Sequence, residues 1–249
     1  MSSNVSDILK QLEALNTSAG ISIYIPSLKK AIRFKNLNLK QQKDLLKSSI
    51  DDTVTKLSFT TKFYNIIQEN AIDILDINKL YTFDRSAIAL ALRANGLSST
   101  YNGINLNDVI AQVQTIDINS EPLSISLNVQ DLTINLEAPT LGIDRDINLT
   151  TTARLKNVSD KDVKTLIGEL FVHEIVKFIK SITFKNENGE QTVIFSELKV
   201  DDKITVTEQL PSTATSKILD FIKSYRAFES KFVTLNGTSI EVDSSFFSV

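Results

Sequence analysis

A chain with one histidine and no cysteine has few routes to nucleophilic or thiolate metal chemistry. His173 stands beside Glu174, and a Ser/His/Asp or Cys/His arrangement would have to be built around this imidazole alone. Active sites are marked by perturbed titratable groups, so a lone histidine within a helical pattern reads as a surface or partly packed ring. Gly142-Ile143-Asp144-Arg145-Asp146 offers carboxylates at alternating positions, which suits a hard cation such as calcium. It lacks the other oxygen ligands of a calcium loop, and Arg145 between the aspartates favours a charged turn joining two strands. Asp51-Asp52 and Asp201-Asp202 read as a helix terminus and a turn. The seven glycines form neither Gly-x-Gly-x-x-Gly nor a Walker pattern, so no phosphate-cradling loop is expected. No catalytic residue, metal ligand or cofactor is assigned.

Two groups of residues suit contacts with other proteins instead. Lys29, Lys30, Arg33 and Lys35 form a locally basic edge, with Lys40 and Lys43 close behind. Phe34 is the only aromatic among them, whereas single-stranded nucleic acid sites interleave stacking rings with charge. A solvated edge, or one facing an acidic protein surface, is the better reading. Phe246 and Phe247 lie within three residues of the end, where exposed chains fray. The pair could fold back onto a helix bearing Ile222 and Tyr225, or a terminal strand could add to a neighbour's sheet and bury both rings there. Both alternatives stay open, and the candidate partner-binding residues are Lys29, Lys30, Arg33, Lys35, Phe246 and Phe247.

Composition points the same way. The chain has 249 residues, 42% of them apolar, which is enough to bury a real core. Its formal net charge of -3 gives no positive field to gather nucleic acid or anionic lipid. Without cysteine there is no disulfide. Met1 to Asn16 lacks the basic and continuously apolar regions of a signal peptide, and no run approaches the roughly 20 residues of a membrane span. Synthesis in the cytosol is expected.

The elements that must position these residues follow from periodicity. Val5, Ile8, Leu9, Leu12 and Leu15 predict a short amphipathic helix. Ile21, Ile23 and Ile25, the Pro26-Ser27 turn, then Ile32 and Phe34 predict two strands. Asn38 and Gln41 have the spacing of a capping box before a helix reaching about Ile50. Further helices are predicted over Thr53 to Leu75, from Asp84 to a left-handed Gly96, and over Leu106 to Val113. Ile116 to Leu155 reads as strands, with Leu123, Ile125, Leu127 and Val129 alternating. Ser159 and Asp162 suggest a second capping box, opening one long helix through His173 to Ile182. Asn188-Gly189 signals a hairpin and Ser212 the start of a last helix, with a terminal strand through Ile240 and Val242. The expected fold is α+β, a helical core with short β-hairpins and an inserted small antiparallel β module. The expected division is 1–115 and 159–249 for the core and 116–158 for the module.

Three segments carry a family resemblance. Ile25-Pro26-Ser27 through Ile32-Arg33-Phe34 to Leu39-Lys40-Gln41-Gln42-Lys43-Asp44-Leu45-Leu46 is the first. Phe83-Asp84-Arg85 with Ala89 to Arg93 and Gly96 to Tyr101 is the second, and Ile240 to Phe247 the third. In order and spacing they resemble the T4-type bacteriophage baseplate hub subunit family. The resemblance implies a non-enzymatic, structural baseplate hub component of a contractile tail, made in the host cytoplasm and located in the virion. Its implied partners are other tail proteins, namely hub, tape-measure and baseplate wedge, and homo-oligomers in the assembly. The opening segment also resembles tail assembly chaperones, which bind the tape-measure protein and are absent from the mature virion. A small enzyme with a hidden site is the third class. The segment Ile116 to Leu155 takes no part in the resemblance.

Overall fold

Alternating isoleucines put one face of β1 (Ile21–Ile25) into the core, and β2 (Lys30–Phe34) pairs antiparallel to it, matching Ile23 with Ile32. The connection is a 3-10 turn, Pro26–Leu28, closed by Lys29 at φ 50°. The computed structural model describes residues 3–47, 53–155, 163–186 and 189–248. Helix α1 (Ser3–Ser18) precedes the hairpin, and α2 (Leu39–Leu46) follows it. The capping box at α2 forms as expected, with the Gln41 amide donating to Asn38 Oδ1 at 2.9 Å and the Asn38 amide to Gln41 Oε1 at 3.2 Å. Asp51-Asp52 and the Ser159/Asp162 box lie outside the described residues.

Helix α3 (Thr53–Asn70) leads to α4 (Thr82–Gly96), the centre of the molecule. In α4, Phe83, Ile88, Leu90 and Leu92 are fully enclosed, and the polar Asp84, Ser86 and Arg93 of the same helix are buried with them. It packs against β1, against α5 (Leu106–Val113) and against α9 (Ser212–Ser230). The minor hairpin β3 (Thr100–Tyr101) and β4 (Ile104–Asn105) links α4 to α5. Gly96 closes α4 as its last helical residue and is not among the residues at positive φ, so the left-handed cap expected there is absent.

The main sheet has the order β5-β6-β7-β8, all antiparallel, from β5 (Ser124–Val129), β6 (Leu132–Glu137), β7 (Ile179–Asn186) and β8 (Gly189–Ile194). The β5–β6 hairpin therefore follows the alternation of Leu123 to Val129, and β8, which pairs with β7, begins at Gly189, while Asn188 lies outside the described residues. Two expectations fail between them. Residues 141–155 form helix α6 (Leu141–Leu155) rather than strands. Its buried stripe is Leu141, Asp144, Asn148, Thr151 and Leu155, a helical spacing of three and four that mixes apolar and polar side chains. Apolar periodicity alone could not show it. Gly142, read as a turn, sits inside this helix, where a Cβ would approach the Asn78 side chain to 1.9 Å.

The long helix through His173 to Ile182 also divides. Helix α7 (Val163–Val176) ends before Phe178, and Ile179 onward enters the sheet between β6 and β8. Helical spacing and β-branched content compete in this stretch, and two partner strands decide for the strand. Because β6 pairs with β7, residues 116–158 do not close a β unit of their own. Helix α8 (Val200–Glu208) packs on α7 and α6, with Asp201 and Asp202 in its first turn. The chain ends in the small hairpin β9 (Thr234–Leu235) and β10 (Thr238–Ser239), then a 3-10 turn at Ser245–Phe247. The strand expected over Ile240 and Val242 does not form. One apolar cluster runs from Ile23 through α4 and the sheet to Phe247. The fold is α+β.

Candidate functional site

The basic edge exists where the sequence placed it, but acidic partners have closed on half of it. Lys29 and Lys30 are exposed at the tip of the first hairpin. Arg33 is exposed on β2, and its Nε lies 3.5 Å from Asp73 Oδ1 while its backbone amide donates to Asp73 Oδ2 at 2.9 Å. That amide and the guanidinium hold the Asp73 carboxyl below its ordinary value. Lys35 pairs with Glu13 of α1 at 3.1 Å. Asp73 and Glu13 are far away in sequence and carried no signal of this role.

Phe246 and Phe247 are both fully enclosed by their own chain. Phe247 packs on Phe63 and Phe59 of α3, with ring centroids 5.3 and 6.2 Å away, and Phe246 meets Tyr101 edge-on at 4.9 Å. The turn folds back as one alternative expected, but onto α3 rather than onto the helix of Ile222 and Tyr225. Arg93 of α4 holds it there. Its Nη1 donates to the Phe246 carbonyl and, at 2.9 Å, to the Ser248 carbonyl, and its guanidinium lies over the Tyr101 and Phe246 rings. In this conformation neither phenylalanine presents its ring to a partner.

A feature hidden from sequence reading is an ion network buried between five helices. Lys177 lies 2.8 Å from Asp144 and 3.2 Å from Glu174, with Lys177 and Asp144 both buried. The Tyr64 hydroxyl donates to Asp144 Oδ2 at 2.6 Å, and Arg85 Nη1 donates to the Tyr64 oxygen at 3.2 Å. Arg226 of α9 pairs with Glu174 of α7 and with Glu229. Burial pushes the Asp144 carboxyl up, yet Lys177 and Arg85 outweigh it and hold it at about 2. Burial pushes Tyr64 well above its ordinary value, keeping the phenol protonated. Asp144 is therefore no cation ligand in a loop, and Asp146 points to its neighbour Arg145 at 3.1 Å. Among the described residues no group of three or more His, Asp or Glu could hold a metal ion.

His173 is buried rather than at the surface. Its Nδ1 lies 2.5 Å from the Thr151 hydroxyl and its Nε2 3.4 Å from Glu169. Burial lowers its pKa, which favours the neutral imidazole. No serine hydroxyl is among its hydrogen-bond partners. Lys177, Asp144, Glu174, Arg226 and Glu229 pair with one another, whereas Arg85 donates to the Tyr64 oxygen and its buried Nε has no hydrogen-bond partner among the described residues. A cavity of about 270 Å³ opens beside it, lined by Ile147, Val176, Lys177, Phe178, Phe195 and Lys203 among others.

Residues 19–241 match the model of a family described as T4 bacteriophage base plate protein. The chain belongs to that family. Neither the curated proteins nor the solved structures give a match. The part of this baseplate-family chain that matches holds the basic hairpin, α4 and the whole ion network, whereas α1 precedes it and the Phe246-Phe247 turn follows it. No helix among the described residues is long and apolar enough to cross a membrane.

Proposed function

We propose that this protein is a structural hub component of a contractile phage tail, non-enzymatic, retained in the virion baseplate and acting through contacts with hub, tape-measure and wedge proteins. The observation that carries the reading is the family match across residues 19–241. The fold is compatible with it, since the buried Lys177 and Asp144 are ion-paired and join α6 to the end of α7. The contact surface proposed is the tip of the first hairpin, where Lys29, Lys30 and the exposed side of Arg33 suit an acidic patch on a neighbouring tail protein.

Quantitative mass spectrometry of purified particles tests both parts. The protein is expected in fixed ratio to other baseplate proteins, and Lys29→Glu/Lys30→Glu is expected to fold normally yet enter particles at a tenth of the level or less. Absence from mature particles with tail assembly still dependent on the protein would replace the hub reading with the chaperone one.

A further inference from the structure

Of the thirteen large hydrophobic side chains exposed among the described residues, five stand on α1. Val5, Ile8, Leu9, Leu12 and Leu15 are 42, 56, 51, 56 and 63% exposed, so the other described residues leave much of each uncovered. A core-facing helix would bury such a stripe. The helix is nevertheless fixed to the body at its C-terminal end. Glu13 pairs with Lys35, Asn16 donates to the Asn36 carbonyl at 3.4 Å, and Asn36 donates to the Ala19 carbonyl at 3.4 Å.

We infer that α1 is a self-association helix whose seam of Val5, Ile8, Leu12 and Leu15 packs against the same seam of a second copy of this chain. The spacing of three, four and three is that of alternating a and d positions, whose complement is another helix with the same repeat. The charge pattern favours a like copy over a partner selected by charge. The positions flanking the seam are Leu9, Gln11, Asn16 and Ser18, all uncharged, while Asp7, Lys10 and Glu13 point away from it. Two copies related by a two-fold axis near Lys10 set Val5 against Leu15 and Ile8 against Leu12 without opposing like charges in the seam. The helix has 16 residues, about 24 Å of length. Two heptads bury less than the roughly 800 Å² per partner of a standard interface, so the association is concentration-dependent rather than permanent. It depends on α1 alone and holds whatever contacts the rest of the chain makes in the tail.

Sedimentation velocity of the full chain over two decades of concentration, beside Ile8→Glu/Leu12→Glu, tests the inference. The wild type is expected to shift from monomer toward dimer as concentration rises. The variant is expected to stay monomeric with an unchanged melting temperature, an association constant lower by a hundredfold or more. A wild type that remains monomeric throughout, or a variant that associates equally well, overturns it. A variant that loses melting temperature overturns it too, because the stripe would then be packed on its own chain.

Discussion

Lys177 is the residue on which the buried charges depend. Its ammonium serves Asp144 and Glu174 together, and whereas Glu174 keeps Arg226, Lys177→Met leaves the buried Asp144 carboxylate without its ion-pair partner. Removing one partner of a buried pair costs roughly 3–5 kcal/mol, and chemical denaturation is expected to show a loss of that size. Replacing Asp144 by Asn in the same chain should recover part of it. Two aspartates give the pH profile opposite limbs. Asp144 is held at about 2, below its ordinary 3.8, so its contribution is present above pH 4 and lost as pH falls through 2. Asp84 is raised by burial to about 6, although the Ser27 and Tyr81 amides donate to it and favour the ionised form. Its folded value lies above the unfolded one, so stability is expected to decline as pH rises from about 4 through 6. His173, whose pKa burial lowers, adds stability as pH rises over the same range, so the Asp84 limb is read as a difference: wild type should lose stability relative to Asp84→Asn as pH rises from about 4 through 6. A wild type that gains stability relative to Asp84→Asn over that range would show that the two amides win.

At the scale of elements, the C-terminal turn behaves as a latch on α3 and α4. Truncation after Asp243 removes both enclosed rings and the carbonyls that Arg93 holds. Burying each phenylalanine is worth about 1.5–3 kcal/mol, so a fall in melting temperature of many degrees is expected. An unchanged melt with lost incorporation into tails would instead return both rings to a partner interface. The α2 capping box is a smaller device, since both of its bonds are exposed. Asn38→Ala is expected to cost about 1 kcal/mol, measurable by urea titration.

At the scale of the whole molecule, the expected division at 116 and 158 meets a sheet that crosses it. Deleting 118–155 would remove β5, β6 and α6, leaving β7 without one neighbour and Lys177 without Asp144. Loss of cooperative unfolding is expected, checked by circular dichroism during a thermal melt. A cooperative, soluble remainder would support a separable module. The sequence by itself determined the local elements: the first hairpin, the α2 cap, α5, the β5–β6 alternation and the start of α9 each depend on contacts a few residues apart. The basic edge was legible for the same reason. Only the tertiary structure decided α6, whose core face is half polar, and the end of α7, where a strand wins because β6 and β8 lie on either side. The Tyr64 links to Asp144 and Arg85 and the Arg93 latch were invisible beforehand because their partners stand 21 to 155 residues apart, brought together only when the apolar cluster closes around them.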